Sequence, residues 1–133
     1  MSLSKNFKAY LLKKLTNKKP VDFDIKDTKS VIFLRYDRIG DMLITTPVFR
    51  AFKLAYPHAN VIVLASMANK DILINNPYID RVIINHKNNL FRDFFSLLEL
   101  RSINIDACVE FDHSVVPHAI LRLRIINPKK IIS

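Results

Sequence analysis

Apolar residues in this chain follow two alternating periods. Runs at 31–34 (VIFL), 61–65 (VIVLA), 81–85 (RVIIN) and 107–111 (ACVEF) have the length and β-branched content of buried strands, and KII at 130–132 begins a fifth. The stretches between them repeat at helical spacing. A helix is expected from the turn after 34 to about Tyr56, a short one over 67–75, one over 90–100 with Leu90, Phe94, Leu97 and Leu98 on a shared face, and one over 114–126 with Pro117 in its first turn. Tyr56-Pro57, Asn76-Pro77 and Asn127-Pro128 punctuate these elements, because a residue before proline avoids the helical region.

Strands alternating with helices in this way predict βα units, hence an α/β fold. A Rossmann-like parallel sheet with helices on both faces follows. The chain divides into two parts, residues 1–29 and 30–133. Within 4–19, Phe7, Leu11 and Leu15 share a face at i, i+4 spacing and Tyr10 and Leu12 flank it. Ser4 is a fitting N-cap and Pro20 a stop. Residues 21–29 are polar and read as a linker into the first strand.

Charge sharpens this division. The formal net charge is +9, and residues 1–19 contain six lysines and no acid. Two readings of that basic amphipathic segment stay open. It docks on its own domain with its lysines solvated, or it lies on an anionic membrane surface, where each well-placed lysine adds about 1 kcal/mol. Nucleic acid is not expected as a partner, since no aromatic platform or binding motif accompanies the lysines. Cys108 stands alone, so no disulfide framework is expected, which fits a reducing cytoplasm.

The single glycine, Gly40, removes a class of function. Glycine-rich dinucleotide and phosphate loops need several glycines, so neither is available. The stretch VIFLRYDRIGDMLITTP at 31–47 then becomes the centre of interest: a strand, a charged turn and a helix start place the turn at the carboxyl edge of the sheet, where open α/β folds bind ligands. Asp41 sits where the helix begins, a position that favours a carboxylate anion. Gly40 suits a turn needing positive φ or close approach to a ligand. Arg35 and Arg38 flank the turn and offer forked donors to a carboxylate or phosphate; alternatively they are surface charges balanced by Asp37. Thr45 and Thr46 can offer hydroxyls to a substrate or satisfy their own helix backbone. Asp112, His113 and Ser114 follow the fourth strand, which lies beside the first in a Rossmann-like order, so they would line the same crevice. No His/Cys/Asp cluster has metal-ligand spacing, and no metal is expected. Cys108, in a strand, reads as a small buried hydrophobe.

From about Val31 onward the sequence resembles the N-terminal domain of the lipopolysaccharide heptosyltransferases, glycosyltransferase family 9. The resemblance rests on Gly40-Asp41, Thr45-Thr46-Pro47, the Arg50 and Lys53 pair, Tyr56-Pro57, the Asn76-Pro-Tyr-Ile-Asp80 stretch and the Asn127-Pro-Lys-Lys130 stretch. It implies the acceptor-side half of a two-domain GT-B enzyme whose donor domain is not in this chain, with inverting, metal-independent transfer of a heptose from ADP-heptose. The implied acceptor is a Kdo or heptose hydroxyl of lipid A–Kdo or the inner core. Asp41 maps onto the family's general base. No cofactor is implied beyond the sugar donor. The implied location is cytoplasmic, peripheral on the inner face of the bacterial inner membrane, with a second chain supplying the donor domain as an expected partner. The competing expectation is a non-catalytic remnant of a split transferase that binds anionic lipid or sugar at the membrane surface.

Overall fold

A computed structural model describes residues 25–111 and 117–132. Five strands alternate with three helices: β1 Ser30–Leu34, α1 Ile39–Ala55, β2 Asn60–Ser66, β3 Arg81–Asn85, α2 Leu90–Ser102, β4 Ala107–Glu110, α3 Pro117–Ile126 and β5 Lys130–Ile132. All pairings are parallel, in the order β3-β2-β1-β4-β5. This is the expected α/β Rossmann-like sheet, with the order reversing between β1 and β4 as in doubly wound folds. The 67–75 stretch is a tighter element than expected, a 3₁₀ turn at Lys70–Leu73 flanked by turns.

Alternation along β1 divides the core into two. Ile32 and Leu34 face a layer closed by Leu97 and Leu100 of α2 and Ile126 of α3. Val31 and Phe33 face the other way, against Met42 and Phe49 of α1. Every residue of β1 is buried, which explains why its sequence reads as a continuous apolar run. On α2 the burial is carried by Leu97 and Leu100, whereas Leu90, Phe94 and Leu98 of the expected shared face are exposed.

The amino edge is fastened by two aspartates. One carboxylate oxygen of Asp106 accepts the Lys29 and Ser30 backbone N–H groups at 2.9 and 3.1 Å, and its other oxygen pairs with the Lys129 ammonium. Asp80 accepts the Val61 N–H and the Lys53 ammonium, each at 2.7 Å, and the same ammonium donates to the Ala59 carbonyl at 2.8 Å. Each carboxylate thereby joins neighbouring strand starts to the segment that precedes or covers them.

The chain manages with one glycine because asparagines take the left-handed positions. Asn75, Asn104 and Asn127 have φ of 60°, 56° and 51°. Asn104 and Asn127 follow α2 and α3, where a helix end calls for that conformation. Asparagine tolerates it better than other side-chain-bearing residues.

Candidate functional site

The crevice at the carboxyl edge is built from the ends of β1 and β4. Leu34 and Glu110 are register partners, and they line a small pocket with Arg35, Tyr36 and Asp37. Alternation beyond the strand end sends Arg35 to the α1 side and Tyr36 to the α2–α3 side.

Arg35 is the organising residue. Its backbone N–H donates to the Leu64 carbonyl at 3.1 Å, continuing the β1–β2 ladder one step past the strand. Its carbonyl accepts from the Asn69 side-chain amide at 3.0 Å, and the Asn69 amide oxygen accepts the Ser66 N–H at 2.8 Å. Asn69 is fully buried, so this bridge between the β1 and β2 ends is shielded from water. The guanidinium lies over the Phe111 ring, 5.3 Å from its centroid. Phe111 in turn stacks on Phe33 at 6.1 Å. Arg35 also points Nη2 at Asp41 Oδ1 and Nη1 at Asp37 Oδ2, both at 3.4 Å. Its buried Nε has no hydrogen-bond partner among the described residues.

Asp41 is the third residue of α1, half-buried, with its carboxylate at the helix start and 3.4 Å from Arg35 Nη2. Arg38 is the N-cap but makes no side-chain capping bond, and it is exposed. Gly40 departs from the expected turn. It lies inside the first turn of α1 without positive φ, and a β-carbon there would meet open space.

The Thr45-Thr46-Pro47 triplet has a backbone logic. Pro47 sits inside α1 and lacks the N–H that would bond the Leu43 carbonyl four residues back. The Thr46 hydroxyl donates to that carbonyl at 2.8 Å and takes the missing bond's place. The buried Thr45 hydroxyl donates to the Asp41 carbonyl at 2.6 Å, fixing the backbone that carries the carboxylate. Other motif residues lie away from the crevice: Lys53, Asp80 and Lys129 belong to the amino-edge fastenings.

On the opposite side of the edge, Arg122 of α3 lies over the Tyr36 ring at 4.5 Å. It donates to Asn85 at 3.1 Å and pairs with Asp93 of α2 at 3.5 Å. This group ties α2, α3 and β3 to the residue that follows Arg35.

Thus Arg35, Gly40 and Asp41 lie together at the start of α1, Thr45 and Thr46 follow in its second turn and bond the helix backbone, and Asp112, His113 and Ser114 lie outside the described residues. Asn69, Phe111 and Glu110 are participants that the sequence reading missed. Glu110 left one signal, an acid at the end of an apolar strand run. Asn69 left none beyond its place three residues after a strand. Among the described residues, no three His, Cys, Asp or Glu side chains gather to hold a metal ion. None of their helices is long and apolar enough to cross a membrane. Burial pushes the Cys108 thiol far up, with Glu110 adding to the shift, and Cys108 packs in the core as a small buried side chain.

No family model matches the sequence, and no curated protein is significantly similar to it. Among solved structures, a glycosyl transferase family 9 protein from Veillonella parvula DSM 2008 matches 79% of this chain with a TM-score of 0.59 and 18% sequence identity. The chain spans 36% of that protein's length. At this identity the likeness is one of architecture: the chain shares the Rossmann-like α/β fold of part of a family 9 glycosyl transferase.

Proposed function

We propose that this chain is the acceptor-side part of a glycosyltransferase of the family 9 type, with Asp41 as its general base. The observation that carries the reading is the Asp41 carboxylate at the sheet's carboxyl edge, held by Arg35 beside the β1–β4 switch point. In this reading an acceptor sugar hydroxyl lies against Asp41. The carboxylate takes its proton as the oxygen bonds to the donor's anomeric carbon, and the nucleoside diphosphate leaves from the opposite face, inverting that carbon. A positioned base of this kind contributes about 10²–10⁴-fold. The electrostatic part falls to Arg35, which balances Asp37 and Asp41 and keeps the carboxylate aimed. Arg38, exposed at the rim, meets anionic groups of the acceptor.

At the finer level the donor is ADP-heptose, the acceptor a Kdo or heptose hydroxyl of an inner-core lipid, and no metal takes part. The donor half is supplied by further polypeptide, and the reaction takes place at the cytoplasmic face of the membrane. The test combines this chain with a polypeptide carrying the donor half, ADP-heptose and a lipid A–Kdo acceptor, and measures sugar transfer. Transfer that falls at least a hundredfold in Asp41→Asn supports the assignment. Transfer undiminished by that substitution removes Asp41 as the base, and acceptor binding without transfer under any pairing assigns the chain to a sugar-binding role.

A further inference from the structure

Helix α1 is apolar on both sides. Met42, Thr45 and Phe49 face the sheet. Ile39, Leu43, Ile44, Pro47, Val48 and Leu54 are exposed on the outside, Ile44 at 71% and Leu54 at 62%. The helix's charged side chains are engaged at its margins: Asp41 with Arg35, Arg50 over the Tyr78 ring at 5.8 Å and Lys53 with Asp80. Among the described residues nothing covers the outer stripe, and a helix apolar all round is a buried helix.

We infer that the stripe is the docking site of residues 4–19 of the same chain. Three observations select this occupant. The first is length: α1 has 17 residues and spans about 25 Å, and the segment 4–19 as a helix would span about 24 Å. The second is pattern, since Phe7, Leu11 and Leu15 recur at helical spacing and would follow the stripe while much of the lysine-bearing surface stays in water. The third is delivery. Residues 20–24, at most about 17 Å long, enter at Ile25–Asp27 ahead of β1, at the amino edge. The foot of α1 is at that same edge, where the Asn60 N–H five residues beyond α1 donates to the Lys29 carbonyl at 2.8 Å. The other exposed apolar group, Leu90, Phe91 and Phe95, lies in the first turns of α2 at the carboxyl edge and on the opposite face of the sheet. A linker this short reaches α1 more readily than that patch.

The linker also sets the direction. The segment must end where α1 ends, so the two helices run parallel, with Leu15 near Leu54 and Phe7 near Leu43. Paired cysteines test this in the full chain under mild oxidation, with Cys108 retained because its buried thiol does not compete. Leu15→Cys with Leu54→Cys, and Phe7→Cys with Leu43→Cys, are expected to form intrachain disulfides at a rate independent of protein concentration. The exchanged pairs, Leu15→Cys with Leu43→Cys and Phe7→Cys with Leu54→Cys, are expected to stay reduced. All four α1 and segment positions tolerate substitution without loss of the described core, since neither α1 residue is buried. Disulfides that form only between chains would overturn the inference in favour of a second copy. Failure of both matched pairs, with residues 1–19 instead driving sedimentation on phosphatidylglycerol vesicles, would overturn it in favour of a bilayer.

Discussion

Arg35 Nη2 stands 3.4 Å from Asp41 Oδ1 while the same guanidinium lies over Phe111, 5.3 Å from its centroid, so one planar group connects the carboxyl ends of β1 and β4 to the start of α1. The ring supports one side of the guanidinium while its two Nη groups reach Asp37 and Asp41. Arginine suits this position because a lysine has no plane to stack. Arg35→Ala is expected to lower stability by about 1–2 kcal/mol, chiefly through the lost stacking and packing on Phe111 and less through the ion pairs, whose carboxylates are partly solvated. Arg35→Lys should recover less than half of that loss in urea unfolding, and full recovery would mean that charge alone matters here.

The Asn69 amide holds Arg35 from behind. Replacing it with alanine leaves the Ser66 N–H and the Arg35 carbonyl without their partner in a buried place. Each group stranded in this way costs about 1–3 kcal/mol. Asn69→Ala should therefore destabilise the chain by at least about 2 kcal/mol, read from the urea midpoint at unchanged slope. It should also speed hydrogen exchange at the Arg35 and Ser66 amides more than at the Val31 amide. Uniform acceleration at all three would show that the bridge is not local.

Thr46 permits Pro47 inside a helix. Its hydroxyl covers the Leu43 carbonyl, so Thr46→Val, which keeps the shape and removes the donor, is expected to cost about 1 kcal/mol. Thr46→Ser retains the donor and should stay within about 0.5 kcal/mol of the parent. If valine is as stable as threonine, water serves that exposed carbonyl as well as the hydroxyl does.

The fold was legible in the sequence because its parallel strands are buried on both sides and therefore stand out as short apolar runs. Arg81–Asn85 and Lys130–Ile132 fall at their expected bounds, and the other strands lie within a residue of theirs. The 67–75 stretch was misjudged because helical composition does not determine whether a full α turn has room to form between β2 and β3. The carboxyl-edge site was legible only in part. Asp41 and Arg35 lie six residues apart, and strand–turn–helix logic brings them together. Asn69 and Phe111 reach Arg35 from 34 and 76 residues away, so only strand pairing shows them to be neighbours. Of the two roles expected for Gly40, positive φ or close approach to a ligand, the first failed for a local reason: the helix starts one residue before it, at Ile39, and a helical glycine keeps a negative φ.

Asp106 gives the amino edge a defined acid sensitivity. Burial raises its pKa, but the Lys129 ammonium together with the Lys29 and Ser30 backbone N–H groups outweighs burial and holds the carboxyl below its ordinary value. A depressed carboxyl pKa means that the unfolded chain binds more protons than the folded one through that interval. The contribution of Asp106 is therefore complete above the ordinary carboxylate pKa of about 3.9 and declines as the pH falls below it through the folded value. Asp106→Asn keeps the shape but replaces one acceptor with a donor facing donors, and it is expected to cost about 1.5–3 kcal/mol at neutral pH, the range for hydrogen bonds to a charged group. Because the parent loses the same contribution on acidification, the difference between the two should shrink steadily below about pH 4. Urea unfolding of both proteins at neutral pH and on the acid limb checks this. A gap that stays constant across the series would show that the hydrogen bonds, and not the charge of Asp106, hold β1 to β4.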